Sequence, residues 1–244
     1  MKDRITHCFN RGAETYDAAA IVQTQVIEQL LPLLPSSSMQ NILEIGCGTG
    51  MLSQRLLHLF PQSSYFLTDI SSAMIEVCKK RFANHPHLEF ACIDGENLPA
   101  NRTYDLIVSS MTLHWFEDIE TSFKKIITKL NPGGQFIFAM LGESSLVEWR
   151  NICEKLHFSI PTPSFPNAAH LQHAFPTMKM EKKVLLHPYK SLYDFLNSLK
   201  NLGATCTRKN HTLISLGNLR HALRHYNKEM PVTYEVILGR FEKK

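Results

Sequence analysis

Between residues 41 and 141 short apolar runs alternate with helix-period segments, and that alternation leaves few folds open. "NILEIG" (41–46), "SYFLTD" (64–69), "LEFACID" (88–94), "YDLIVSS" (104–110) and "QFIFAML" (135–141) read as strands. "MLSQRLLHLF" (51–60), "SSAMIEVCKKRF" (71–82) and a segment at about 119–130 carry apolar residues at helical spacing. A serine caps the second of these helices and Pro61 stops the first. Strands joined through helices pair in parallel, so the fold class is α/β, a parallel sheet with helices on both faces. Right-handed crossovers then leave little freedom in the topology.

The flanking segments extend this plan without repeating it. "TYDAAAIVQTQVIEQLLPLL" (15–34) reads as one amphipathic helix, capped by Thr15 or Asp17 and ended by prolines. After residue 142 come a helical "SSLVEWRNICEKLHF", a proline-rich break "SIPTPSFPNAA", and a sixth strand "EKKVLLHPY" (181–189). Helices at 191–204 and 217–227 precede a last alternating strand at 232–241. The 244 residues are therefore expected to form one domain. Its parts are an N-terminal helical cap (1–34), a core (35–142), helical insertions around strand six (143–230) and a last strand (231–244). Insertions late in such a sheet lie over the carboxyl ends of the strands, where ligands bind.

Composition narrows the function classes. No apolar run approaches the ~20 residues that span a bilayer, so no membrane partner is expected. "MKDRITHCFNRGAETYD" lacks the apolar stretch of a secretory signal and carries acids that a transit peptide avoids, so a cytoplasmic protein is expected. The 6 cysteines and 12 histidines show no zinc spacing, which points to free thiols and no metal. Charge is uneven: residues 141–244 carry the excess of Lys and Arg over Asp and Glu, while the first 140 residues are slightly acidic. Such an imbalance suits an ordinary solvated surface or a face that attracts an anionic partner. No aromatic residues interleave with the basic ones, and nucleic acid is not expected.

The chemistry concentrates in "LEIGCGTG" (43–50), where the first strand runs into Gly46, Gly48 and Gly50. Glycines at the first strand-to-helix turn let a ligand approach the backbone. A dinucleotide fingerprint is G-x-G-x-x-G, with a pyrophosphate at the helix N-terminus. Here the third glycine falls one residue early and Glu44 precedes the first by two. A carboxylate there suits a cation better than a pyrophosphate. Asp69 ends the second strand, 19 residues after Gly50, where a carboxylate can accept from both ribose hydroxyls. Asp94 ends the third strand, placed for an adenine amino group, with Gly95 leaving room for the ring. Capping alone does not explain acids at the ends of three successive strands.

These residues match E-x-G-x-G-x-G, the first motif of class I methyltransferases, and the wider sequence resembles the malonyl-acyl-carrier-protein O-methyltransferases of biotin synthesis. The resemblance lies in "FNRGAETYDAAAIVQ" (9–23), the glycine loop, "DGENLP" (94–99), "YDLIVSSMTLHWFED" (104–118), "SLYDFLNSLKNLGA" and "TYEVILGRF". Gly12 stands where that family's pattern suggests alanine. The resemblance implies a Rossmann-like fold with a seven-stranded, mostly parallel sheet in the order 3-2-1-4-5-7-6 and a helical lid over its carboxyl edge. It implies S-adenosylmethionine as cofactor, released as S-adenosylhomocysteine, held by Glu44, Gly46, Cys47, Gly48, Gly50, Asp69, Ile70, Met74, Asp94, Gly95, Glu96 and Ser110.

The implied reaction methylates the free carboxylate of a malonyl thioester on acyl-carrier protein, with malonyl-coenzyme A as a further candidate substrate. A carboxylate with a pKa near ~4 is already ionised at neutral pH, so no general base is required. Tyr16, His114 and Arg150 are the substrate-positioning candidates, Arg150 because a guanidinium grips a carboxylate through two parallel bonds. Lys179, Lys182, Lys183, Arg208, Lys209, Arg220 and Arg224 are candidates to steer an acidic carrier. Two alternatives share the motif: a methyltransferase for another small or carrier-bound acid, and a non-catalytic module that keeps the cofactor fold for assembly.

Overall fold

The computed structural model describes residues 2–83, 85–158, 164–206 and 216–244. Among them, three helices open the chain: α1 (Lys2–Gly12), α2 (Tyr16–Ala19) and α3 (Ile21–Leu30). The core follows as β1 (Asn41–Ile45), α4 (Met51–Leu59), β2 (Ser64–Asp69), α5 (Ser72–Arg81), β3 (Leu88–Cys92) and β4 (Tyr104–Ser110). It continues through α6 (Ile119–Thr128), β5 (Leu130–Leu141), α7 (Val147–Lys155), α8 (Ala168–Ala174) and β6 (Lys179–Tyr189). The chain closes with α9 (Leu192–Asn201), α10 (Leu216–His225) and β7 (Met230–Glu242). No helix of the described residues is long and apolar enough to cross a membrane.

The strands form one seven-stranded sheet in the order β3-β2-β1-β4-β5-β7-β6, the order that the family resemblance implies. β1 to β5 pair in parallel, while β7 runs antiparallel to both β5 and β6. Side chains alternate across the sheet with period two. Leu43, Ile45, Ile107, Phe136, Phe138 and Met140 join one core with Phe123 of α6. Ile42, Leu106, Val108, Ile137 and Ala139 join the opposite core with Leu52 and Leu56 of α4 and Trp149 of α7. Glu44 shares its face with Ile42, so the strand period itself aims this carboxyl at α4 instead of at water.

Three features differ from the sequence reading. The helix expected over 15–34 is broken at Ala20 (φ −83°, ψ 40°), which separates α2 from α3. No glycine or proline marks the break; tertiary contacts set it. Thr15 does not cap α2, because its hydroxyl donates to the carbonyls of Gly12 (3.2 Å) and Asn201 (2.8 Å). Helix α1 has no counterpart in the periodicity reading: of the residues on its inner face, Lys2, Ile5, Phe9 and Gly12, only Ile5 and Phe9 are large apolar side chains. Within the proline-rich break, residues 159–163 lie outside the described residues, but Asn167 caps α8 by accepting from His170 N–H (2.8 Å).

Helix α1 packs closely against the end of α9. A Cβ at Gly12 would stand 2.5 Å from the Gly203 nitrogen and 2.8 Å from the Leu202 carbonyl carbon. Both are backbone atoms, so neither can turn aside. The departure from alanine at this position thus has a steric cause. Overpacking of this kind costs about 1–3 kcal/mol, against at most about 1 kcal/mol gained from helix propensity. Gly12→Ala should therefore lower the melting temperature in a thermal denaturation scan, by about 2–4 °C for each kcal/mol of net loss; an unchanged or raised value would show that the seam has slack.

Candidate active site

The turn after β1 is pinned to the end of β2. Gly46 N–H and Cys47 N–H both donate to the Thr68 carbonyl, at 2.8 and 2.9 Å. Asp69, the last residue of β2, accepts from Gly48 N–H on one carboxylate oxygen (2.9 Å) and from Ser71 N–H on the other (2.8 Å). Each oxygen keeps a lone pair for another donor. The three glycines differ in what they accommodate. Side chains at Gly46 and Gly50 would collide with Thr112 and with Phe82 and Cys78, so those two serve internal packing. Gly48, at φ +53°, has nothing within 4 Å of where its Cβ would be; this glycine is the one that faces open space.

That space is a cavity of about 890 Å³ counted together with the open solvent at its mouth. Glu44, Gly46, Cys47, Gly48, Asp69, Ile70, Met74, Asp94, Gly95, Ser110 and Tyr16 line it together. Glu44 is 1% exposed, and the Ser53 hydroxyl donates to its carboxylate at 2.6 Å. Burial pushes its carboxyl up to about 8, with the charge of Asp69 adding to the rise and the Ser53 bond opposing it. Burial also raises Asp69, to about 6, against the backbone bonds that lower it. Ser110 Oγ is buried without a hydrogen-bond partner. Acids that resist ionisation, an orphaned hydroxyl and a glycine facing open space suit a cationic, hydroxyl-bearing ligand.

The N-terminal helices close over this cavity through contacts that the sequence reading did not assign. Lys2 pairs with Asp94 (3.0 Å) and with Glu96. Asn10 Oδ1 accepts from Ser71 Oγ–H (2.7 Å) and Ala73 N–H (3.2 Å), tying α1 to the start of α5. Asp17 accepts from the Thr49 hydroxyl of the glycine turn (2.5 Å) and pairs with Arg81. Phe9 meets Trp115 edge to face at 5.5 Å.

A second, largely apolar cavity adjoins the first. Phe9, Tyr16, Gln23, Met111 and Trp115 line both, so the two meet at this wall. His114, Phe165, Tyr189 and Tyr234 complete its polar and aromatic lining. Met111 takes the left-handed conformation (φ 56°) where β4 ends, a strained bend that delivers the 113–115 turn to both cavities. His114 is 6% exposed, and its Nδ1 accepts from Leu141 N–H (3.4 Å), which leaves the proton on Nε2. Burial pushes its pKa down to about 3, so the ring is neutral. Tyr16 is half-buried and its phenol is raised above the usual range, first by desolvation and then by the negative charges of Asp69 and Asp17. Neither ring is a base or a cation near neutral pH; both are neutral donors.

Three expected site residues, Gly50, Glu96 and Arg150, lie outside both linings, and a fourth, Gly95, acts differently. Glu96 is absent from the lining of both cavities: it accepts from the N–H groups of Glu117 and Asp118 and from the Ser122 hydroxyl, buttressing the start of α6. Arg150, on α7, also lies outside both linings, and its guanidinium donates to the Glu143 carbonyl at 2.7 Å. Gly95 does line the first cavity, but a Cβ there would meet Ile45 at 2.6 Å and Phe116 at 2.9 Å, so the glycine answers to packing beneath the site. Gln23 and Phe9 were within the quoted N-terminal segment and went unassigned there. The helical spacing of Gln23 and Ile27 on α3, both facing the first cavity, was the available signal.

Residues 43–136 match the family model described as a methyltransferase domain. A malonyl-(acyl-carrier protein) O-methyltransferase of Magnetococcus marinus is 32% identical over 97% of this chain and 91% of its own length. Malonyl-(acyl-carrier protein) O-methyltransferase 1 of Ilyobacter polytropus is 32% identical over 98% of this chain and 88% of its own. Among solved structures, N-methyltransferase NodS of Bradyrhizobium japonicum with S-adenosylhomocysteine superposes with a TM-score of 0.54 at 17% identity, covering 90% of this chain and 86% of NodS.

The two raised carboxyls give a test that needs no turnover. A ligand that sets a cation near Glu44 and hydroxyls on Asp69 favours the ionised forms and lowers both pKa values, so binding releases protons. With values of about 8 and about 6 in the free protein, affinity should rise with pH between about 5.5 and 8. Calorimetry with S-adenosylhomocysteine at pH 7, in buffers of differing ionisation enthalpy, should show net proton release. A binding heat that is independent of buffer would contradict this charge assignment.

Proposed function

From the premise that the chain belongs to the malonyl-(acyl-carrier protein) O-methyltransferase family, we propose that it transfers a methyl group from S-adenosylmethionine to the free carboxylate of a malonyl thioester. The thioester is carried on an acyl-carrier protein in the cytoplasm, at an early step of biotin synthesis. The observation that carries this reading is the meeting of the two cavities at a shared wall of Phe9, Tyr16, Gln23, Met111 and Trp115. One cavity is acidic and suits a cation; the other is apolar with neutral donors and suits an acyl chain ending in a carboxylate.

Bound in the first cavity, S-adenosylmethionine supplies a methyl group made electrophilic by its cationic sulfur. The residues that hold it are Glu44 facing the cationic end, Asp69 accepting from the ribose hydroxyls, and Asp94 with Gly95 at the base. Gly48 gives the nucleoside a side-chain-free surface. Cys47, Ile70, Met74 and Ser110 complete the walls.

In the second cavity the chain's task is to position an anion without gripping it hard. The carboxylate is ionised at neutral pH and needs no base. His114 Nε2–H and the Tyr16 hydroxyl are the donors offered to it, both neutral. A full cation would stabilise the free carboxylate more than the ester that replaces it and so slow transfer. The location of Arg150 outside the lining agrees with that economy. The apolar walls exclude water and leave the carboxylate lone pairs unsolvated, and holding it against the shared wall supplies orientation worth up to about 7–11 kcal/mol.

Carrier docking is assigned to the basic residues of the second half of the chain. Lys179, Lys182 and Lys183 lie on β6, and Arg220 and Arg224 on α10, both elements packed against α9. Arg208 and Lys209 lie outside the described residues. Lys182 and Lys183 are within 3.7 and 3.6 Å of Glu235 and Glu181, so part of their charge is already balanced.

Incubation with labelled cofactor and malonyl-, succinyl- or unloaded carrier protein, followed by intact mass, should show one added methyl on the malonyl carrier alone. Methylation of none of them overturns the reading. Asp69→Ala should weaken S-adenosylhomocysteine binding by at least about tenfold, a loss of ~1.4 kcal/mol; unchanged affinity would remove Asp69 from the ribose site.

A further inference from the structure

Gln23 occupies a singular place in this molecule. It lies in the first turn of α3 and lines both cavities. Its neighbours divide: Val22 lines the second cavity and Ile27 the first. Its side-chain oxygen Oε1 is buried and has no hydrogen-bond partner. A buried amide that finds no partner in the protein is an anomaly unless a ligand completes it. In the surrounding wall Phe9, Met111 and Trp115 are largely apolar, and the Tyr16 hydroxyl makes no hydrogen bond to Gln23 Oε1.

A primary amide carries an acceptor and two donors on one rigid plane. Those two ends match the two ligands in charge. The first cavity, with Glu44 and Asp69, is built for a ligand that brings a cation; the second is built for one that brings an anion. We propose that Gln23 is the residue that registers the two ligands against each other: its amide oxygen accepts from the ammonium of the sulfonium nucleoside, and its amide N–H groups donate to the methyl-accepting carboxylate. This rests on the reading of the two cavities given above. The polarity of the ligands fixes which end of the amide faces which cavity. Being uncharged, the amide serves both ends, where a carboxylate would repel the acceptor and an ammonium would repel the cofactor.

Gln23→Glu separates the two contacts. It should raise KM for malonyl-carrier protein at least about tenfold while leaving the Kd for S-adenosylhomocysteine unchanged or lower, as read by calorimetry. Gln23→Met keeps the side chain's length and apolar bulk but removes both polar ends. It should raise KM and Kd together, by about three- to tenfold each, with a melting temperature within about 2 °C of the parent. The proposal is overturned if both variants leave KM and Kd within twofold. It is equally overturned if Gln23→Glu moves KM and Kd upward together, the pattern of a merely structural residue. If the parent protein binds S-adenosylhomocysteine but methylates no malonyl substrate, the acceptor reading fails and this inference falls with it. Parent turnover with indifferent variants sinks the inference alone.

Discussion

A carboxyl group buried in an inner strand of a sheet, with one serine hydroxyl upon it, is the constraint around which this site is organised. Isolated charge in such a place costs several kcal/mol, and the carboxyl responds by holding its proton to about pH 8. The second acid, Asp69, is fastened by two backbone N–H groups and so cannot turn away to relieve the crowding. The protein maintains two acids side by side that a core would ordinarily exclude. Only a ligand with a complementary charge gives that arrangement a favourable account.

Much of this was legible in the sequence because β-strands have a short period and glycines have few uses. The alternation from Asn41 to Leu141 sets the parallel half of the sheet, and the strand order follows the family resemblance through to the antiparallel pair β7 and β6. The acids at the ends of β1 and β2, and just beyond β3, fall in one cavity because parallel strands present their carboxyl ends on one side. The roles of individual glycines were less legible. Spacing cannot tell Gly48, which faces open space, from Gly46 and Gly50, which make room for Thr112 and for Phe82 and Cys78.

What escaped the sequence was set by tertiary contact. Helix α1 has a stripe too short for periodicity to register, yet Lys2, Phe9 and Asn10 each reach a different part of the core. Glu96 reads as one more acid after a strand, and only the fold turns it toward the N–H groups of Glu117 and Asp118. Arg150 reads as a carboxylate ligand by its residue type, while α7 presents its guanidinium to the carbonyl of Glu143. Residue type says what a side chain can bind; the element that carries it decides what comes within reach.

The contact between Gly12 and Gly203 joins the cover of the first cavity to the wall of the second, for Leu202 and Ala204 line that wall. With backbone against backbone there is no side chain to act as a cushion. A displacement of either segment would therefore be felt at both cavities.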